Sequence, residues 1–65
     1  MIVNRIKEIL AEQDRTIYWL AQQTGIRYNT INSLVNNKTE SVKFEIIDKV
    51  CDALDCDVAE IFKKI

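Results

Sequence analysis

TIYWLAQQTGIRYNTINSLVNNK, Thr16 to Lys38, is the stretch whose reading decides the fold. At its centre stands Gly25, the only glycine of a 65-residue chain that has no proline. Ahead of it, Ile17, Leu20, Ala21 and Thr24 fall at i, i+3, i+4 and i+7, one face of a helix. Beyond it, Ile31 and Leu34 stand three apart and can face back onto that helix, with Ile26 in the turn between. A glycine at this joint supplies the positive φ that ends one helix and turns the chain into the next. Two helices at a steep angle about a short glycine turn make a helix-turn-helix unit, here residues 16–35.

Working outward, Met1 to about Gln13 reads as a first helix. Ile2, Ile6, Ile9 and Leu10 form its apolar stripe, with Arg5, Lys7, Glu8 and Glu12 outside it. Gln13-Asp14-Arg15 is the break, and Thr16 is an N-cap for the second helix. The third helix runs from Arg27 or Tyr28 to about Val35, and Asn36 to Ser41 is a polar loop in which an Asn can take the left-handed conformation. A fourth helix spans Phe44 to Leu54, burying Ile47, Val50, Cys51 and Leu54, with Phe44 extending that stripe by one turn. Asp57 and Glu60 have the spacing of a capping box at the start of a fifth helix. Val58, Ile61, Phe62 and Ile65 line that helix, and Lys63-Lys64 suit the negative end of its dipole. The expectation is one compact all-α, five-helix domain over residues 1–65.

Composition narrows the function classes. A hydrophobic content of 48% is that of a folded globule. No charged leader precedes an apolar run, and the longest such run, Ile17 to Ala21, is too short to span a membrane. A cytoplasmic, nucleoid-associated location is the default. Cys51 and Cys56 read as thiols in a reducing compartment, Cys51 on a buried face, rather than as a disulfide or metal pair. With no histidine, no glycine-rich phosphate loop and no base beside a thiol, neither catalysis nor a metal or other cofactor is expected. The net charge of −1 sits awkwardly with a nucleic-acid partner. It is unevenly spread. From Gln13 to Lys43, Arg15, Arg27, Lys38 and Lys43 outweigh Asp14 and Glu40, while the acids concentrate in the rest of the chain.

Leu20-Ala21, Thr24-Gly25-Ile26, Thr30-Ile31, Leu34 and Asn36-Asn37-Lys38 resemble the lambda-repressor/Cro-type helix-turn-helix family, also called the Xre family. The likeness continues through Phe44, Ile47, Val50-Cys51, Ala53-Leu54, Cys56 and Val58. It implies a DNA-binding transcriptional regulator, most simply a repressor, whose second helix lies across the backbone and whose third enters the major groove. The family's base-reading positions fall on Arg27, Tyr28, Asn29 and Ser33, with Asn32 beside them. Its backbone-contact positions fall on Thr16, Ile17, Asn36, Asn37, Lys38 and Lys43. Where many relatives carry a phosphate-gripping glutamine, this chain has Ile17.

The outward set of the third helix supports that implication by its own chemistry. Arg27, Tyr28, Asn29, Asn32, Ser33 and Asn36 contain no acid, whereas an ordinary solvated face is rich in Lys and Glu. Asn pairs with adenine and Arg with guanine or phosphate. A homodimer on double-stranded DNA is expected, since one domain reads few base pairs. Trp19, Val42, Phe44, Phe62 and Ile65 are candidate dimer or partner contacts. Trp19 reads first as a partly covered surface tryptophan and second as a partner anchor. No small-molecule effector is expected. The rival from another class is a protein-interaction or antitoxin-like module on the same fold, which the acidic balance, Ile17 and Trp19 favour.

Overall fold

The computed structural model describes residues 1–65. In chain order the elements are β1 (Ile2–Asn4), α1 (Ile6–Glu12), α2 (Ile17–Thr24), α3 (Tyr28–Val35), α4 (Phe44–Leu54), α5 (Val58–Ile61) and β2 (Phe62–Lys64). Five helices surround one core in which Ile6, Leu20, Ile31, Val35, Val50, Leu54 and Ile61 are fully buried. Every helix therefore contributes to the same apolar cluster.

The central unit forms for the reasons its sequence suggests. The Thr16 hydroxyl accepts the Trp19 amide N–H at 3.0 Å, capping α2. At the other end Gly25 has φ 70° and its N–H returns to the Ala21 carbonyl. A Cβ built on Gly25 would meet nothing within 4 Å, so the backbone angle and not space calls for glycine. Thr24 is buried because its hydroxyl donates to the Leu20 carbonyl at 2.8 Å. Elsewhere helices end on non-glycine residues with left-handed backbone, Asp14 after α1, Asn37 after α3 and Asp55 after α4. The Gln13 carboxamide donates to the Leu54 carbonyl at 2.9 Å, tying the ends of α1 and α4 together.

The two chain ends depart from the all-α expectation. β1 and β2 pair antiparallel with Ile2 opposite Lys64, Val3 opposite Lys63 and Asn4 opposite Phe62. Met1 and Ile65 continue the ladder. The first helix thus starts at Ile6, not at Met1, and Ile2 belongs to no helical stripe. The cause lies in Asn4. Its side-chain oxygen accepts the Ile6 N–H at 3.1 Å, which begins α1 there and leaves the preceding residues extended. The last helix is a single turn, because Phe62 is already extended at φ −104° and ψ 146°. Lys63 and Lys64 are strand residues rather than dipole partners, and Ile65 is 73% exposed at the end of the ribbon. Asp57 precedes α5 without a side-chain cap; the Glu60 N–H bonds the Asp57 carbonyl instead. Phe44 opens α4 but is 88% exposed, so it does not extend the buried stripe. Its spacing is right, but it stands at the first turn of α4 between two open hollows and not against the core.

Candidate nucleic-acid interface

The helix-turn-helix joint presents α3 by one face. Ile31, Leu34 and Val35 bury the other, and Leu20 and Ala21 of α2 belong to the same core. Arg27 is the N-cap residue of α3 but makes no side-chain cap bond, so its guanidinium is free. Tyr28 and Asn29 are exposed on the first turn, and Asn32 and Ser33 are half-buried on the next. These positions fall at i, i+1, i+4 and i+5, on one side of the helix.

Besides Thr16, whose hydroxyl caps α2, the side chains of Asn32, Asn36 and Asn37 are already engaged within the chain. The Asn36 carboxamide donates to the Asn32 carbonyl at 2.8 Å and to the Asn32 side-chain oxygen at 3.0 Å. Asn32 keeps its own NH₂ for another partner. The Asn37 side-chain oxygen accepts the Asn4 main-chain N–H at 2.8 Å and the Asn4 carboxamide at 3.0 Å. Asn37 therefore offers outward only its NH₂ group.

Asn4 deserves its place beside the interface although it touches no part of the exposed face. It is 7% exposed and its NH₂ also donates to the Leu34 carbonyl in the last turn of α3. One buried residue of β1 thus clamps the C-terminal end of α3, the following left-handed turn at Asn37 and the start of α1. Sequence reading placed Asn4 inside a helix. The available signal was an Asn just ahead of the first periodic apolar residue, Ile6, which marks a helix start.

The cations of the helix-turn-helix segment are in no internal ion pair. The chain has one ion pair, Lys49 with Glu45 on α4, so Arg15, Arg27, Lys38 and Lys43 are unpaired. Arg15 lies over the Trp19 ring at 4.2 Å from its centroid, a cation–π contact that holds a positive charge beside the α2 N-terminus. That role for Arg15 was missed, and its signal was the i, i+4 spacing to Trp19. Trp19 itself is half-buried and packs on the core, as the covered-surface reading expected. Ile17 also packs on the core, so only its main chain is available to a phosphate. Tyr18 and Gln22 bond each other at 2.9 Å on the outer side of α2.

The candidate contact residues separate into groups. Val42, Phe44 and Phe62 come together with Ile2, Ile47 and Val58 around an open groove of about 460 Å³. Trp19 and Ile65 are not on that groove. Cys51 is buried and Cys56 half-buried, both as free thiols. Burial pushes the Cys51 thiol above its ordinary value, with Asp57, Asp48 and Asp52 adding to the shift. Burial likewise raises Cys56, helped by a hydrogen bond and charge from Glu60. Both stay protonated at neutral pH, which suits packing and not nucleophilic attack.

A family model for the Cro/C1-type helix-turn-helix DNA-binding domain matches residues 5–65. The chain belongs to this family. Among similar proteins, an "uncharacterized HTH-type transcriptional regulator", YozG of Bacillus subtilis (strain 168), is 24% identical over 62 residues. That alignment covers 95% of this chain and 74% of the other. Among solved structures, that of a "putative DNA-binding protein from Bacteroides fragilis" superposes with a TM-score of 0.84 at 38% identity. It covers 97% of this chain and 100% of the other. This Cro/C1-type domain is thus a helix-turn-helix DNA-binding module of the kind found in transcriptional regulators, with a terminal ribbon whose first strand precedes the family match. No helix is long and apolar enough to cross a membrane.

Proposed function

We propose that this domain binds double-stranded DNA sequence-specifically as a homodimer and acts as a small repressor by occupying an operator. In this reading α3 enters the major groove by its N-terminal end and α2 lies across the backbone. The observation that carries it is the face of α3. It is free of acids, rich in side chains that pair with base edges, and flanked at its two ends by Arg27 and Lys38, which are in no ion pair. Tyr28, Asn29 and Ser33 are the direct readers, with Asn32 beside them. Arg27 reads a base or clamps a phosphate. Thr16, the main chain at Ile17, Asn36, the NH₂ of Asn37, Lys38 and Lys43 hold phosphates. No metal, cofactor or small-molecule effector enters the mechanism, and the site of action is the cytoplasmic nucleoid.

The test is selection from a random duplex pool at ~150 mM salt, where sequence-independent phosphate binding is largely suppressed. The expected product is a palindrome with half-sites about one turn, roughly 34 Å, apart. Asn29→Ala with Ser33→Ala should then lose specific binding and keep its melting temperature. Failure to enrich any sequence with folded protein would refute the proposal. A second reading, a protein-interaction module with weak DNA binding, draws support from the exposed apolar residues Ile2, Phe44 and Val58. It expects the double substitution to change nothing.

A further inference from the structure

We infer that Asn4 is a positioning residue for DNA recognition: from the terminal ribbon it sets the rotation of α3 and the outward end of the Asn37 side chain. The inference rests on the reading of α3 as the helix that enters the groove. Asn4 bonds none of the side chains proposed to read bases, and acts through Leu34 and Asn37.

The hydrogen bonds that join residues 27–38 to the rest of the chain all come from Asn4. Its NH₂ donates to the Leu34 carbonyl and to the Asn37 side-chain oxygen, and its main-chain N–H donates to that same oxygen. No ion pair reaches α3. The other hold on the helix is the burial of Ile31, Leu34 and Val35. Apolar burial has no preferred direction, whereas hydrogen bonds demand alignment. Bonds into the last turn of α3 therefore select one rotation among those its apolar stripe permits. A rotation of about 10° moves a side-chain tip about 6 Å from a helix axis by about 1 Å. Hydrogen-bond distances span only about 0.5 Å, so such a shift breaks a paired contact to a base edge.

The anchor is itself fixed. Asn4 is buried, stands opposite Phe62 in the ribbon, and accepts the Ile6 N–H on its side-chain oxygen. Both protons of its NH₂ and its oxygen are thus in use, which leaves its amide one orientation. That orientation passes to Asn37. Two donors from Asn4 draw the Asn37 oxygen inward, so the NH₂ is the end left for an outside partner. A phosphate oxygen only accepts, and this is the end that can bond it. Asn37→Asp would keep both bonds from Asn4 and a residue type tolerant of φ 57°, while removing the outward donor.

The experiment compares Asn4→Ser with Gln13→Ala. Serine keeps a short side-chain oxygen for the Ile6 N–H and lacks the NH₂ group. Gln13→Ala removes a bond of the same kind, from a side chain to a helix-end carbonyl, between α1 and α4. Binding is measured where circular dichroism shows each variant folded. The probe is the duplex enriched from the random pool, and the competitor is an unrelated duplex of equal length. Asn4→Ser should lose about tenfold or more of the selectivity for the enriched duplex, the worth of one paired base contact. Gln13→Ala should keep it. Asn37→Asp should weaken both duplexes alike, because a phosphate contact carries no sequence. Selectivity of folded Asn4→Ser within about threefold of wild type, or an equal loss in Gln13→Ala, overturns the inference. Amide exchange on the free protein separates it from the DNA reading. The N–H groups of Asn37 and Lys38, which return to Leu34 and Ser33, should exchange about tenfold faster in Asn4→Ser and at the wild-type rate in Gln13→Ala. That pattern in a folded protein that selects no duplex overturns the DNA reading, and the positioning role with it, but leaves the clamp. Unchanged exchange in Asn4→Ser overturns the clamp itself.

Discussion

Replacing Asn4 by alanine tests how far the fold depends on its one buried amide. The substitution removes both donors of the NH₂ group, to the Leu34 carbonyl and to the Asn37 side-chain oxygen. It also removes the acceptor of the Ile6 N–H. The losses are not equal. The Leu34 carbonyl keeps the Asn37 N–H at 3.0 Å, and the Asn37 oxygen keeps the Asn4 main-chain N–H at 2.8 Å. Only the Ile6 N–H is left without a partner, in a buried position. An orphaned buried group costs about 1–3 kcal/mol and the two lost but replaceable bonds about 1 together, giving about 2–4 kcal/mol in all. A single small core supplies only about 3–5 kcal/mol. Asn4→Ala should therefore lower the melting temperature by about 8–32 °C, at about 4–8 °C per kcal/mol. Thermal and urea melts followed by circular dichroism measure this directly. Asn37→Gly supplies the second arm, because glycine keeps the φ of 57° and removes only the side chain. The double variant should be less damaging than the sum of the two by ~0.5 kcal/mol or more. A loss below ~1 kcal/mol in Asn4→Ala, or strict additivity in the cycle, would refute a shared clamp.

Other perturbations follow from single observations. Gly25→Ala should cost about 1–2 kcal/mol in a urea melt, from left-handed backbone alone, since no atom crowds the new Cβ. Thr16→Ala should cost about 1 kcal/mol by the loss of the α2 cap to Trp19. Asp55→Asn should gain about 0.3–1 kcal/mol, because it keeps a residue tolerant of φ 55° and removes a negative charge from the C-terminal end of α4. The thiols set an alkaline limit. Folding raises both cysteines, so from the ordinary value of 9.0 upward the unfolded chain releases protons that the folded chain still holds. Stability then falls as pH rises through that window, and the urea midpoint at pH 10 should lie below that at pH 8.

The middle of the chain was legible because its signals are local. Thr16 caps within three residues, Gly25 turns the chain by its own φ, and the stripes of α2, α3 and α4 repeat over two or more turns. The ends were not, because short apolar runs read equally as helix or strand. Ile2-Val3 becomes a strand only by pairing with Lys63-Lys64 at the far end of the chain. The clamp between Asn4 and Asn37 spans 33 residues, and no periodicity reports such a contact. On the interface, the composition of the α3 face could be read from spacing. The bonds that tie Asn36 to Asn32 and Asn37 to Asn4 could not, since they depend on where helix α3 ends and where β1 runs.

An acidic chain in a family of DNA-binding domains is a tension that the arrangement of charges resolves. Screening confines the effect of exposed charges to about 8–10 Å at ordinary salt, while the molecule measures 28 × 22 × 18 Å. What a phosphate meets is therefore the local set, and in the segment carrying α2 and α3 that set is Arg15, Arg27, Lys38 and Lys43 against Asp14 and Glu40, none of them in an ion pair. The acids of α4 and the turn after it, Asp48, Asp52 and Asp57, border the hollow beside Phe44 and Val58 instead. This placement has a measurable corollary. Reversing Asp48 and Asp57 to lysine makes the net charge more favourable to DNA, yet it should change DNA affinity at ~150 mM salt by less than about threefold, because charges beyond a Debye length of the phosphates are screened. A rise of about tenfold or more would mean that the charge of the whole molecule, and not the local set, governs binding.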